Sequence, residues 1–338
     1  MVTFTASLAN HYDPAHLVEA VQAIDGRLGY DNFFIGDERL NHNTYQLLAL
    51  AATHSEDIGL GTGVTNPYTR HPAITAASLA TLDRISDGRA HLGLGGGSGI
   101  GLDPLGYDQD DPIGTTRDAI KAIRRLLDGE RVTLDRPEFS LDGADLDVQP
   151  VSKVPVYVAG RGPHILGLGG FRGDGMLAGA GLASVAGMEY ARDNIADGAG
   201  KAGRDLGDID VVCWAFLSVA DDRGVALDGV NPLVGRIVDK TPMPALEAIG
   251  IDPDRAEQVK QVDDVASLSP AELRDHVPRE VTEQFAIAGT PAECRRHVDR
   301  LREAGVDHFG LLAFDNEKRD ELASLELFSE NVIDAVEA

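Results

Sequence analysis

Four times within its first hundred residues, this chain places a short apolar run ahead of an amphipathic stretch. Residues 2–8, 32–36, 58–60 and 90–94 read as buried strands. Between them, Asp13-Pro14 opens a helix reaching about Arg27, with Leu17, Val18, Val21 and Ile24 on one face. Asn43 or Thr44 caps a second helix, which carries Tyr45, Leu47, Leu48 and Ala51. Pro72, a favoured first-turn residue, starts a third that runs to Leu82. Strands separated by helices pair in parallel, because no tight hairpin joins them.

The rhythm runs on with two interruptions. A helix at 115–127 is followed by residues 132–134 and 138–141, which read as a hairpin around Asp135-Arg136-Pro137. Strands five to seven fall at 154–159, 175–178 and 209–219, with helices starting near Pro163 and Met188. Residues 100–112 read as turn-rich. Residues 242–282 hold several helical patterns and many acids, a helical insertion before the last unit. That unit opens with Thr290 as cap, Pro291 at the first position and Glu293 at capping-box spacing. A strand at 308–314 and a helix at 317–336 finish the count. The expectation is an α/β chain, one (β/α)8 TIM barrel over residues 1–338. It carries a hairpin insertion at about 132–148 and a helical insertion at about 225–283.

The formal net charge is −25, with six Lys against 24 Arg. The acids are scattered between apolar positions rather than blocked, so they read as a solvated surface adapted to high salt. Such a surface repels the phosphate backbone, so nucleic acid is not an expected partner. No leader pattern and no long uncharged apolar run is seen, so the expected location is the cytoplasm, with no membrane partner. Cys213 and Cys294 lack a CxxC partner and read as buried thiols. His11, His42, His71 and His164 share no metal-ligand spacing, so no metal site is expected.

Site signals cluster where strands should hand over to helices. The first is Gly61-Thr62-Gly63-Val64-Thr65-Asn66-Pro67, between the third strand and its helix. Its glycines permit unusual backbone geometry. The second, Gly93-Leu94-Gly95-Gly96-Gly97-Ser98, is not a dinucleotide fingerprint, because Ser98 stands at the third glycine position. It gives room for a close approach to the backbone instead. In Gly160-Arg161-Gly162-Pro163 a helix start and an arginine favour an anion, with Gly179-Ala180-Gly181 as its companion loop. Asp37-Glu38 follows the second strand. Two adjacent carboxylates in a partly dry pocket push one pKa upward, which suits proton transfer.

The stretch GTGVTNPYTRHPAITAASLATLDRISDGRAHLGLG, residues 61–95, closely resembles methylenetetrahydromethanopterin reductases, members of the bacterial-luciferase-like superfamily that use the deazaflavin coenzyme F420. The resemblance extends over most of the chain and is strong again at 154–162 and 285–305. It implies a non-prolyl cis peptide at Gly63-Val64, pressed against the back of the deazaflavin ring. It implies ring contacts from Gly63, Val64, Thr65, Asn66, Gly95, Gly96, Gly97 and Ser98. The cofactor phosphate would lie beside Gly160, Arg161, Gly162, Gly179, Ala180 and Gly181. Ser7 and Asn10 would face the substrate. The chain departs from the family where it carries Ser7 and Ser98, since the reductases have acids at both places. An acid–His pair is common where Asp37-Glu38 stands, so Glu38, with Asp37, is the candidate catalytic group.

The activity this implies is hydride transfer between reduced F420 and the carbon of a pterin- or folate-type substrate. An FMN-dependent monooxygenase and a non-catalytic flavin-binding protein are the alternatives, with FMN as the alternative cofactor. A homodimer or higher homo-oligomer is expected.

A surface this acidic repels itself when unscreened, and the screening length falls to about 3 Å at 1 M salt. The melting temperature is therefore expected to rise from dilute buffer to molar KCl. A flat response would mean that local pairs already balance the acids.

Overall fold

The computed structural model describes residues 2–37, 40–179, 181–261 and 268–337. Eight parallel strands close into a barrel: β1 (Thr3–Leu8), β2 (Asn32–Ile35), β3 (Gly59–Thr62), β4 (Ala90–Gly95), β7 (Val156–Gly160), β8 (Gly175–Gly179), β9 (Asp210–Val219) and β11 (His308–Ala313). Closure comes from the pairing of β11 with both β9 and β1, where Thr3 lies opposite His308 and Ser7 opposite Leu312.

Helices follow the strands on the outside: α1 (Pro14–Gly26), α2 (Thr44–Ala52), α3 (Pro72–Ile85), α5 (Pro112–Leu127), α6 (Pro163–Arg172), α7 (Val185–Lys201) and α13 (Pro291–Glu303). Except at α6, their starts are set by side chains that satisfy free backbone N–H groups. Asp13 accepts from Ala15, Asn43 from Tyr45 and Gln46, and Thr290 and Glu293 form the reciprocal capping box. His71 caps α3 through Nδ1, while its other ring nitrogen pairs with the Ser140 carbonyl. That bond ties the hairpin β5 (Val132–Asp135) and β6 (Ser140–Ala144) to the start of α3.

After β9 the chain forms α8 (Arg223–Lys240), α9 (Met243–Ala248), α10 (Pro253–Lys260), α11 (Pro270–His276) and α12 (Arg279–Phe285). Three elements differ from the sequence reading. A short strand β10 (Ala286–Gly289) lies between α12 and α13 and pairs with the end of β9, Ala286 opposite Phe216. Residues 100–112, read as turns, include the single helical turn α4 (Gly99–Leu102) and a 3-10 turn at Asp103–Leu105. The closing helix starts later than expected, with α14 (Glu321–Phe328) capped by Asp320. It then passes through a π turn (Ser329–Ile333) into α15 (Asp334–Glu337).

The lower half of the barrel interior is polar. Asn32 donates to Thr5 at 3.2 Å, and Thr5 Oγ1 pairs with His308 Nε2 at 2.8 Å. His308 Nδ1 meets Asp210 at 2.9 Å, and Tyr157 donates to the same carboxylate at 2.7 Å. Burial alone would raise the Asp210 pKa, but the bonds from His308 and Tyr157 bring it below the usual carboxylate range. The chain of bonds crosses β2, β1, β11, β9 and β7, so it ties the barrel together from inside. It lies toward the N-terminal ends of the strands, the face that serves stability in such barrels. Above it sits an aromatic layer of Phe34, Tyr157 and Trp214 with Leu177 and Val212.

His91 stacks on Tyr157 at 5.9 Å between centroids, and its Nδ1 is buried without a partner among the described residues. Burial, then the neighbouring His308, lowers its pKa to about 4 against an ordinary 6.5. A histidine held neutral in this way costs nothing above pH 6.5. Its contribution is lost as pH falls from there toward 4, because only the unfolded chain takes up the proton. His91→Phe keeps a ring and removes the proton site. The wild type is expected to lose about 3 kcal/mol relative to this variant between pH 7 and 4 in denaturant unfolding. Parallel pH curves for the two proteins would contradict it.

Candidate functional site

Each described residue assigned to the ring, phosphate, substrate or proton transfer lies at the C-terminal end of a barrel strand or in the loop that leaves it. Glu38 and Ala180 lie outside the described residues. The centre of this face is the end of β3. The Gly63-Val64 peptide bond is cis, as the resemblance implies, and it forms a bulge between β3 and β4. Thr62 Oγ1 donates to the Gly93 carbonyl at 2.7 Å and accepts from the Gly93 N–H at 3.0 Å. Past the bulge, Thr65 N donates to the Gly93 carbonyl, and Gly95 N donates to the Thr65 carbonyl, both at 3.0 Å. The ladder is thus resumed after a two-residue excursion.

The surroundings leave room for that bulge and little else. A Cβ on Gly63 would lie 3.1 Å from the Trp214 indole and 3.0 Å from Phe34. One on Gly93 would collide with the Thr62 carbonyl, and one on Gly95 would lie 3.3 Å from the Val64 side chain. Val64 and Ala159 are partly exposed and pack on the aromatic layer below. Together they make a flat apolar shelf, with Trp214 beneath and glycine backbone beside it. Trp214, 9 % exposed, was not singled out from the sequence. It is the chain's one Trp, and it alternates with Val212 and Asp210 on the inward side of β9, a signal that strand period supplies.

Asp37 clamps the bulge. Its N–H donates to the Val64 carbonyl at 3.4 Å, and its Oδ2 accepts from Thr65 Oγ1 at 2.6 Å. Arg70 Nε stands 3.4 Å from the same oxygen, and its guanidinium lies 4.5 Å from the centre of the Tyr45 ring. The Tyr45 hydroxyl is buried with no hydrogen-bond partner among the described residues, and its pKa is pushed upward by burial and by nearby Asp37. Asp37 is therefore already engaged by Thr65 and Arg70.

Asn66 shapes its own loop, accepting from the N–H groups of Tyr68 and Thr69 at 3.0 Å each. Asn10 donates to the His42 carbonyl at 3.0 Å and accepts from Asn41. Ser7 is fully buried at the end of β1, its hydroxyl without a partner among the described residues. Gly97 and Ser98 are exposed at the rim, and Gln109 donates to the Gly96 carbonyl.

Arg161, partly buried between Gly160 and Gly162, donates from NH2 to Thr241 Oγ1 at 2.8 Å. No carboxylate pairs with it among the described residues, and burial lowers its pKa. Gly162 caps α6 with no side-chain bond. The free N–H groups of that helix start and the guanidinium favour an anion at this edge of the mouth. Gly179 lies beside Trp214 on the neighbouring strand, and Gly181 packs near Ile249 and Phe285 of the helical region. Cys213 and Cys294 are buried free thiols, with pKa values pushed up to about 12 by burial. Among the described residues no cluster of His, Cys, Asp and Glu could hold a metal, and no helix is long and apolar enough to cross a membrane.

The model of the luciferase-like monooxygenase family matches residues 2–308. The 5,10-methylenetetrahydromethanopterin reductase of Methanolobus tindarius is 36% identical over 297 residues, covering 87% of this chain and 89% of the relative. The F420-dependent glucose-6-phosphate dehydrogenase of Beutenbergia cavernae is 29% identical over 344 residues, covering 98% and 96%. Among solved structures, the coenzyme F420-dependent tetrahydromethanopterin reductase of Methanopyrus kandleri superposes with a TM-score of 0.85. It is 29% identical, with 99% of each chain covered.

The short bond from Thr65 to Asp37 is one to a charged acceptor, a class worth about 1.5–3 kcal/mol. Thr65→Val keeps the shape and removes the donor. Its unfolding free energy is expected to fall by an amount in that range. A change under about 0.5 kcal/mol, the size of a neutral surface substitution, would mean that the clamp contributes nothing.

Proposed function

We infer the activity from membership: the chain belongs to the luciferase-like monooxygenase family and, within it, to the 5,10-methylenetetrahydromethanopterin reductases. It is an F420-dependent oxidoreductase of that type. The observation that carries the reading to this chain's own residues is the shelf of Val64 and Ala159 over Trp214, walled by glycine backbone. A flat tricyclic ring fits such a shelf, and Arg161 at the edge of the mouth fits the cofactor's phosphate. Bound F420 supplies the hydride. The protein holds the two reacting carbons face to face, and the shelf keeps water from one side of the ring.

The substrate we propose is a methylene-tetrahydropterin of the methanopterin or folate type. Reducing it requires opening a methylene bridge to an iminium, helped by a general acid, before hydride arrives. Neither Ser7 nor Ser98 can serve as that acid, and Asp37 is engaged by Thr65 and Arg70. The proposal assigns the proton to Glu38, next in the chain after Asp37. Asp37 then positions the bulge. The acidic surface supports a place in a salt-rich cytoplasm, as in a halophilic archaeon, and the substrate class supports a role in one-carbon metabolism.

Glu38→Gln keeps size and hydrogen bonding but removes the titrating proton. It is expected to leave F420 affinity nearly unchanged and lower turnover of the methylene-pterin by roughly 10²–10⁴-fold. Parent-like turnover would remove Glu38 from the role. A parent inactive with both methylene-pterin and methylene-folate would leave only cofactor binding.

We also propose a homodimer, formed through α2 and α3. α2 has no charged residue, and Ile74 and Ile85, 55% and 43% exposed, lie on one side of α3. Two copies that each carry −25 can approach closely only where charge is absent. Ile74→Asp is expected to convert the dimer to monomer in sedimentation at molar salt. An unchanged sedimentation coefficient would place the interface elsewhere.

A further inference from the structure

The seat of Arg161 is built partly by a helix that belongs to no barrel unit. Thr241, 3% exposed, follows the last residue of α8. Its hydroxyl proton goes to the Ile237 carbonyl at 2.6 Å, one turn back in the helix. The same hydroxyl oxygen accepts from Arg161 Nη2 at 2.8 Å. The hydroxyl is therefore oriented by the helix and, in turn, orients the guanidinium.

The same contact decides the charge. A partly buried guanidinium is usually held by a carboxylate, which cancels its field. Here the holder is a neutral hydroxyl at the negative end of an 18-residue helix. The other N–H groups of Arg161 have no partner among the described residues. A hydroxyl fixes the fork without neutralising it, so the positive charge stays available to an incoming anion.

We propose that Thr241 is a positioning residue for the cofactor's phosphate, holding Arg161 in place while leaving its charge uncompensated. It acts through Arg161 rather than by touching the ring. This inference rests on the reading of Arg161 as the phosphate's partner. The α8 terminus thus contributes to cofactor affinity as well as to the wall of the mouth.

The test compares F420 with its deazaflavin riboside fragment, which ends before the phosphate. Dissociation constants are measured by fluorescence titration in molar KCl. Thr241→Val is expected to weaken F420 binding about tenfold, the scale of one hydrogen bond to a charged group. It should leave fragment binding within about twofold, since the hydroxyl addresses only the phosphate end. Thr241→Ser, which keeps the hydroxyl, should restore the parent's value. Thr241→Asp should lose more F420 affinity than Thr241→Val, because a carboxylate cancels the guanidinium. In an Arg161→Ala background, Thr241→Val should change nothing further.

Parent-like F420 affinity in Thr241→Val, with weakened binding in Arg161→Ala, would overturn the proposal and leave Arg161's role intact. Equal loss of F420 and fragment would also overturn it, by making Thr241 a structural residue only. Undiminished F420 binding in Arg161→Ala would instead remove the reading on which the proposal rests. Should the valine variant fail to fold, the Ser and Asp variants still decide between these outcomes.

Discussion

The indole of Trp214 lies across the upper barrel and supports the Gly63-Val64 peptide from below. Most of the site follows from that contact. A Cβ at Gly63 would press on the indole, and one at Gly310 would collide with it, so both strands beside the ring must approach as bare backbone. Phe34 stands 6.0 Å from Trp214 and fills the rest of the layer. With the floor occupied by rigid aromatics, the bulge can only rise toward the mouth, and it carries Val64 with it as a flat apolar surface. The glycines of β4 are the counterpart on the other side, since Val64 occupies the space their side chains would need.

Two polar arrangements hold this apolar centre in place. Below it, the bonds from Asn32 through Thr5, His308 and Asp210 to Tyr157 tie five strands together where branched apolar side chains usually fill a barrel. Beside it, Asp37 binds backbone and hydroxyl on the far side of the bulge, with Arg70 and Tyr45 behind. A third arrangement, Arg161 on Thr241, lies past the end of β7, where the arginine is partly exposed. The first two hold the carboxylates of Asp210 and Asp37 within the protein. The third has donors to spare, and this difference separates scaffold from binding group.

Much of the fold was legible because its signals are local. Strand–helix alternation, the caps at Asp13, Asn43 and Thr290, and the hairpin around Asp135-Arg136-Pro137 each depend on a few adjacent residues. β10 was not legible, since Ala286–Gly289 is strand only because β9 extends past β8 and offers a free edge. The site was legible as a set of loops, since glycine clusters mark strand ends. The work done by each side chain was not. Asp37 reads as a free carboxylate until Thr65 and Arg70, 28 and 33 residues away, are brought to it. Thr241 lies 80 residues from Arg161 and carries no motif.

The account holds that a flat deazaflavin lies on Val64, above Trp214, with its phosphate at Arg161. A crystal structure of the protein grown in molar salt with F420 tests this directly. The account predicts ring density over the Gly63-Val64 peptide, bounded by the Gly93–Gly95 strand, and a phosphate within hydrogen-bonding distance of the Arg161 guanidinium. Ring density elsewhere in the mouth, or a phosphate held away from Arg161, would contradict it.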